Sequence, residues 1–142
     1  MIIATVSEEN LERLRKGYAD FNRGDYEAIF ELLHEGFFVR DREELPDPGV
    51  YEGPDGALSA FASAGSDFED YSIDPVEMID GEAWVVVVAQ QRGRGRVSGA
   101  PVEGEICHLW RLAPDGRATA LEAFSTRGAA LTAAGGPGWP SS

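Results

Sequence analysis

Apolar residues in this chain recur at helical spacing through the first half and at strand spacing through the second. Leu11, Leu14, Tyr18 and Phe21 make one helical stripe. Ser7 suits its N-cap, with Glu8 and Glu9 in the first turn, where a helix dipole favours negative charge. Gly24 can end this helix in a left-handed conformation. Asp25 can cap a second, shorter helix, whose stripe is Tyr26, Ile29, Phe30 and Leu33 and whose stop is Gly36. Phe37 to Arg40 reads as a short strand. Residues 41–50 are acidic and hold two prolines, which predicts a loop. Pro54 fits the first turn of a third helix, with Leu58 and Phe61 on its apolar side and Gly65 at its close.

From residue 68 onward the pattern predicts strands. Tyr71 and Ile73 sit two apart, and Val76 and Met78 belong to a strand ending at the hairpin signal Asp80-Gly81. Ala83 to Gln91 is apolar on both faces, so both must be covered. Arg92-Gly93-Arg94-Gly95-Arg96 interrupts that run. Val102 to Leu112 is the next strand, Asp115-Gly116 another hairpin turn, and Ala118 to Thr126 the last strand. Ala129 to Ala134 adds a helical turn. The order predicts an α+β fold: one curved antiparallel sheet with the helices packed on one face. A single domain spans residues 1–134, and the Gly/Pro/Ser-rich segment 135–142 reads as a flexible tail.

Length and charge narrow the picture. A chain of 142 residues fits one domain and buries roughly two thirds of its unfolded surface without staples. The net charge is −13, from 25 acidic and 12 basic residues, which argues against nucleic acid and anionic membranes as partners. No apolar run approaches a membrane span, and the N-terminus has no secretory pattern, so a cytoplasmic location is expected. Cys107 is the one cysteine, which excludes an intrachain disulfide and a cysteine-based cluster. The Arg-Gly run is a hairpin end balancing nearby acids rather than an RNA-binding segment.

The order of these elements, with Asn22-Arg23-Gly24-Asp25 at a helix end, Phe37-Phe38-Val39 leading to Asp41, the Gly-Pro-Asp-Gly turn at 53–56, and the late strands His-Leu-Trp-Arg-Leu and Leu-Glu-Ala-Phe, resembles the nuclear transport factor 2-like superfamily in its SnoaL-like, ketosteroid-isomerase-like branch. The resemblance covers about residues 7–130. It implies a cone in which three helices and the concave sheet face enclose an apolar small-molecule pocket. It also implies a homodimer through the outer sheet face, with neither cofactor nor metal. Aligning Asn22–Asp25 with the corresponding helix end of ketosteroid isomerases brings Asp41 onto their catalytic aspartate, which moves a proton between carbons beside a carbonyl. The two oxyanion donors of those enzymes then fall on Gly17 and Cys107. Tyr18 lies one residue away, about 100° around the helix.

The candidate chemistry follows. Asp41 is the leading general base, since a carboxylate in an apolar pocket is raised towards neutral pH. Glu122, a charge within an apolar strand, shares parity with Phe124, which the resemblance turns to the pocket. Its two readings are a second pocket carboxyl and an ion pair with Arg111. Under the same alignment Cys107 faces the pocket and His108 the dimer face, because neighbours on a strand alternate. His108 nevertheless stays a catalytic candidate for its near-neutral titration. His34 is read as structural, at a helix end. Tyr18, Phe37, Tyr51, Phe61, Val87, Cys107, Leu109 and Phe124 are the expected ligand contacts. The reaction implied is proton transfer on an apolar carbonyl compound, as isomerase or cyclase. A non-catalytic ligand-binding or dimeric interaction domain, and epoxide hydrolysis, are the alternatives.

Overall fold

Among the described residues six strands, β1 (Leu33–Arg40), β2 (Val50–Glu52), β3 (Phe68–Asp80), β4 (Trp84–Gly95), β5 (Pro101–Leu112) and β6 (Ala118–Phe124), form one curved mixed sheet in the order β2-β1-β6-β5-β4-β3. The computed structural model describes residues 6–40 and 49–135. Helix α1 (Val6–Asn22) lies across the concave face and buries Leu14 and Tyr18. Its end is a Schellman motif. Gly24, at φ +78°, donates its N–H to Phe21 O, and Asp25 donates to Asp20 O. Asn22 then clamps the helix to the sheet edge, accepting from the Ile73 N–H at 2.9 Å and donating to the Ile73 carbonyl at 3.0 Å. Asp20, buried at the same end, is held by Lys16 and Arg23.

The second helix departs from expectation. Glu27–Leu32 is a 3-10 turn preceded by Tyr26 without a side-chain cap, so Asp25 does not cap it. Its apolar spacing of three residues suits 3-10 winding. Strand β1 (Leu33–Arg40) starts four residues earlier than the apolar pattern indicated. His34 is therefore a strand residue, two positions past the end of the 3-10 turn, its Nδ1 accepting from the Gly36 N–H at 3.1 Å. β2 (Val50–Glu52) pairs antiparallel with β1, and α2 (Gly53–Asp67) follows with proline in its first turn.

β3 (Phe68–Asp80), β4 (Trp84–Gly95), β5 (Pro101–Leu112) and β6 (Ala118–Phe124) form an antiparallel meander. β1 joins it in parallel with β6, so the sheet is mixed rather than wholly antiparallel. The Arg-Gly run is not a break: β4 continues to Gly95, its arginines lying opposite Glu69 and Glu103. Gly93 is required there, because a Cβ would stand 2.9 Å from the Tyr71 ring.

The sheet has a core on each face. On the concave side Phe37, Val39, Ile73, Val85, Val87, Ala89, Ile106 and Trp110 pack beneath α1, the 3-10 turn and α2. On the other side Val86, Val88, Cys107 and Leu109 pack against Ala130 and Ala134 of α3 (Arg127–Gly135). One helix thus packs on the face expected to meet a second copy of the chain. The two-faced hydrophobicity of β4 has its cause within a single chain.

Candidate functional site

Between the concave sheet face and the helices lies a cavity of about 190 Å³. α1 contributes Gly17, Tyr18 and Phe21; α2 contributes Ala60 and Phe61; the 3-10 turn and β1 contribute Ile29, Leu32 and Val39. The sheet supplies Tyr71, Ile73, Ile106, His108, Trp110, Leu121 and Ala123. Most of the lining is hydrocarbon and aromatic. Among these described residues none is Asp, Glu, Lys or Arg.

Three of the lining residues form a buried polar chain. Trp110 Nε1–H donates to Tyr18 Oη at 2.9 Å. Tyr18 Oη stands 2.6 Å from His108 Nδ1. The Tyr18 and His108 rings are stacked at 13° with centroids 5.8 Å apart, while Trp110 meets Tyr18 edge-on and stacks on Phe37. The spacing of β5 produces this geometry. Ile106, His108 and Trp110 share one face of the strand, and a helix residue one turn past Leu14 reaches them from above. Burial pushes the Tyr18 phenol well above its ordinary range, with the Trp110 N–H opposing, so the hydroxyl keeps its proton.

The face assignment of β5 and β6 is therefore the reverse of the expected one. His108 lines the cavity, and Cys107, Leu109 and Phe124 belong to the core under α3. Alternation held, with the two faces exchanged. Tyr18 and His108, the neighbours of Gly17 and Cys107, both line the cavity. Glu122 goes with Phe124 to the outer face. There it accepts from Arg111 Nε at 2.9 Å and from Arg40 Nη1 at 3.2 Å. The buried Glu122 is thus an ion-pair partner and not a cavity carboxyl.

Of the remaining expected contacts, Tyr18 and Phe61 line the cavity. Phe37, Tyr51 and Val87 pack in the same core behind it. Asp41 lies outside the described residues; it directly follows Arg40, the last residue of β1. What the sequence reading missed was the Tyr18–His108–Trp110 linkage. Its partial signal was the alternation Ile106-x-His108-x-Trp110, which groups His108 with Ile106 and Trp110 on one face while Leu109 and Arg111 go with Cys107. Among the described residues no group of His, Cys, Asp and Glu could hold a metal ion, and no helix is long and apolar enough to cross a membrane.

A fold of this shape, with a pocket roofed by helices, defines a class of cone-like pocket proteins. The SnoaL-like domain model matches residues 14–121, and the chain belongs to that family. Solved structures agree on the fold. Bal32a, from a soil-derived mobile gene cassette, superposes with a TM-score of 0.77 at 19% identity, covering 89% of this chain and 96% of that one. The proposed SnoaL-like polyketide cyclase of Jannaschia sp. CCS1 gives 0.76 at 20% identity, covering 94% and 96%. TerC, co-crystallized with polyporic acid, gives 0.71 at 24% identity, covering 84% and 93%. No curated protein matches the sequence.

Proposed function

We propose that this protein binds a compact, mainly apolar molecule of about one ring that carries one polar oxygen, and that its chemistry is cofactor-free proton transfer of the isomerase or cyclase type. The observation that carries the reading is the apolar cavity interrupted by the hydrogen-bonded chain His108–Tyr18–Trp110. Size sets the ligand class. A cavity of about 150 Å³ accommodates benzene, and drug-sized ligands occupy about 300–1,000 Å³. The 190 Å³ here suits one substituted ring and not four fused ones. Chemistry sets the orientation. An oxygen buried in this cavity needs a partner, and the polar chain supplies it. An imidazole titrates near neutral pH and can accept or return a proton. Asp41 stays in the proposal as the base that the resemblance implies, and Asp41→Asn tests it by turnover.

The family and its structural neighbours, among them a proposed polyketide cyclase and a protein crystallised with polyporic acid, support a small-molecule role. The room inside the cone favours a pocket over a pure interaction domain. The cavity lining among the described residues lacks the carboxylates and arginine that epoxide hydrolysis needs. A homodimer through the outer face is a further part of the proposal, with α3 forming part of that surface. The test is ligand-observed NMR with a panel of one-ring ketones and phenols against the wild type and Ala60→Phe. The added ring occupies the cavity, so the variant is expected to lose binding while melting normally. Undiminished binding to Ala60→Phe would place the ligand elsewhere.

A further inference from the structure

The hydrogen-bond chain has a direction. Trp110 Nε1–H can only donate, so it occupies one lone pair of Tyr18 Oη. The 2.6 Å contact to His108 Nδ1 is shorter than the usual 2.9–3.0 Å of N–H···O bonds and fits a hydroxyl donor. A Tyr18 O–H donating to an unprotonated Nδ1 satisfies this geometry and leaves the neutral ring's proton on Nε2. A ligand in the cavity cannot take the Nδ1 lone pair, because Tyr18 already holds it. It can reach that lone pair through Tyr18 Oη, which has a second lone pair to accept with.

We infer that Tyr18 relays a proton from a bound hydroxyl or enol to His108 Nδ1, so that the site takes up weakly acidic one-ring compounds as the neutral acid and holds them as the anion. The inference rests on the pocket reading above and names its ligand class. The ligand O–H bond breaks and leaves its electron pair on the ligand oxygen. Its proton binds a lone pair of Tyr18 Oη. The original Tyr18 O–H bond breaks, returning its pair to Oη, and that proton binds Nδ1. The products are a ligand anion, a neutral phenol and an imidazolium. Before the exchange Tyr18 accepts from Trp110 and the ligand and donates to His108. Afterwards it accepts from Trp110 and His108 and donates to the ligand. Each arrangement gives Oη two donors and one acceptor, so no heavy atom has to move. A free tyrosinate never forms, in keeping with a phenol whose burial keeps it protonated.

The surroundings favour entry of the neutral acid. Among the described lining residues α1 offers Tyr18 and β3 offers Tyr71, whose hydroxyl donates to Gln91 Oε1 at 2.9 Å. The lining residues from the 3-10 turn, β1, α2 and β6 are apolar. Among the described lining residues a preformed anion would meet no cation while His108 is neutral, and the chain's charge of −13 opposes it further.

The probes are para-nitrophenol, whose phenolate absorbs visible light, and para-nitroanisole, which has the same ring and no acidic proton. At a pH where free nitrophenol is neutral, the wild type is expected to show the phenolate band on binding. Nitrogen NMR should move the His108 Nδ1 resonance from the unprotonated to the protonated range, and nitroanisole should bind without either change. Tyr18→Phe, checked for folding by its melt, should bind nitrophenol with at least tenfold less phenolate signal. Nitrophenol bound as the neutral phenol to wild type, with Nδ1 unmoved, overturns the relay and leaves the pocket reading standing. An undiminished phenolate signal in Tyr18→Phe also overturns it. Binding of neither probe overturns the pocket reading and the relay together.

Discussion

Removing the Glu122 carboxylate should damage the fold and spare the cavity. Glu122 is buried on the outer sheet face, and Arg111 beside it is 6% exposed. Arg111 donates to Glu122 Oε2 and also reaches the Ala133 carbonyl of α3 at 3.4 Å. Burial lowers the Arg111 pKa, and the Glu122 charge and hydrogen bond oppose that. Glu122→Ala therefore removes the carboxylate that offsets the burial of the Arg111 guanidinium. Breaking a buried pair from one side costs about 3–5 kcal/mol, a large share of the 5–15 kcal/mol typical of a domain. Arg40, half exposed, loses little by comparison because water solvates it. With a urea slope of about 2 kcal/mol/M, the midpoint should fall by about 1.5–2.5 M. Arg111→Met with Glu122→Leu removes both charges and keeps the volume, and should unfold within about 1.5 kcal/mol of wild type. Urea titrations followed by circular dichroism measure both. A loss under about 1 kcal/mol for Glu122→Ala, or a double variant no better than the single, would refute the ion-pair account. Ligand binding per folded molecule should be unchanged in both variants, since neither position lines the cavity.

Asp20 gives a pH dependence of known sign. The hydrogen bond from Lys16, joined by Arg23, holds its carboxyl below the ordinary range. A depressed native value means stability that is present above the ordinary carboxylate pKa and lost as pH falls through the native one. Asp20→Asn should therefore be less stable than wild type at pH 7 in urea titrations, with the gap closing below about pH 4. Gly24→Ala places a Cβ at φ +78° in open space, so its cost should be the left-handed penalty of about 1–2 kcal/mol, read from the same titration. Cys107 is fully buried under α3, and burial raises its thiol pKa. Its modification by a disulfide reagent should be slow in the native protein and immediate in denaturant.

The helices of the first half and the strand run of the second were legible in the sequence because their periods differ and their turns carry Gly, Pro and Asp. Where local signals were shared between two structures, the reading failed. Tyr26, Ile29, Phe30 and Leu33 fit an α-helix, yet spacing by three serves a 3-10 turn equally, and β1 begins at Leu33, which pairs with Ala118 of β6 ahead of an irregularity that lasts to Phe38. Arg92 to Gly95 looked like a break because its residues are charged or small. The run is the exposed end of a strand, where opposing acids and a glycine under Tyr71 are what the sheet requires. The site turned on a single register. Alternation put Cys107 and His108 on opposite faces, and no local feature says which face is concave. The buried Arg111–Glu122 pair and the alanines of α3 decide it, and both depend on contacts distant in sequence.

The central claim is that a small oxygen-bearing ligand sits inside the cone against His108 and Tyr18. Intermolecular NOEs from para-nitrophenol or a one-ring ketone to the labelled protein test it most directly. Cross-peaks are expected to Ile106, His108, Phe61 and Leu121, and none to Cys107 or Ala130. Cross-peaks confined to the α3 side, or to helix surfaces away from β5, would contradict it.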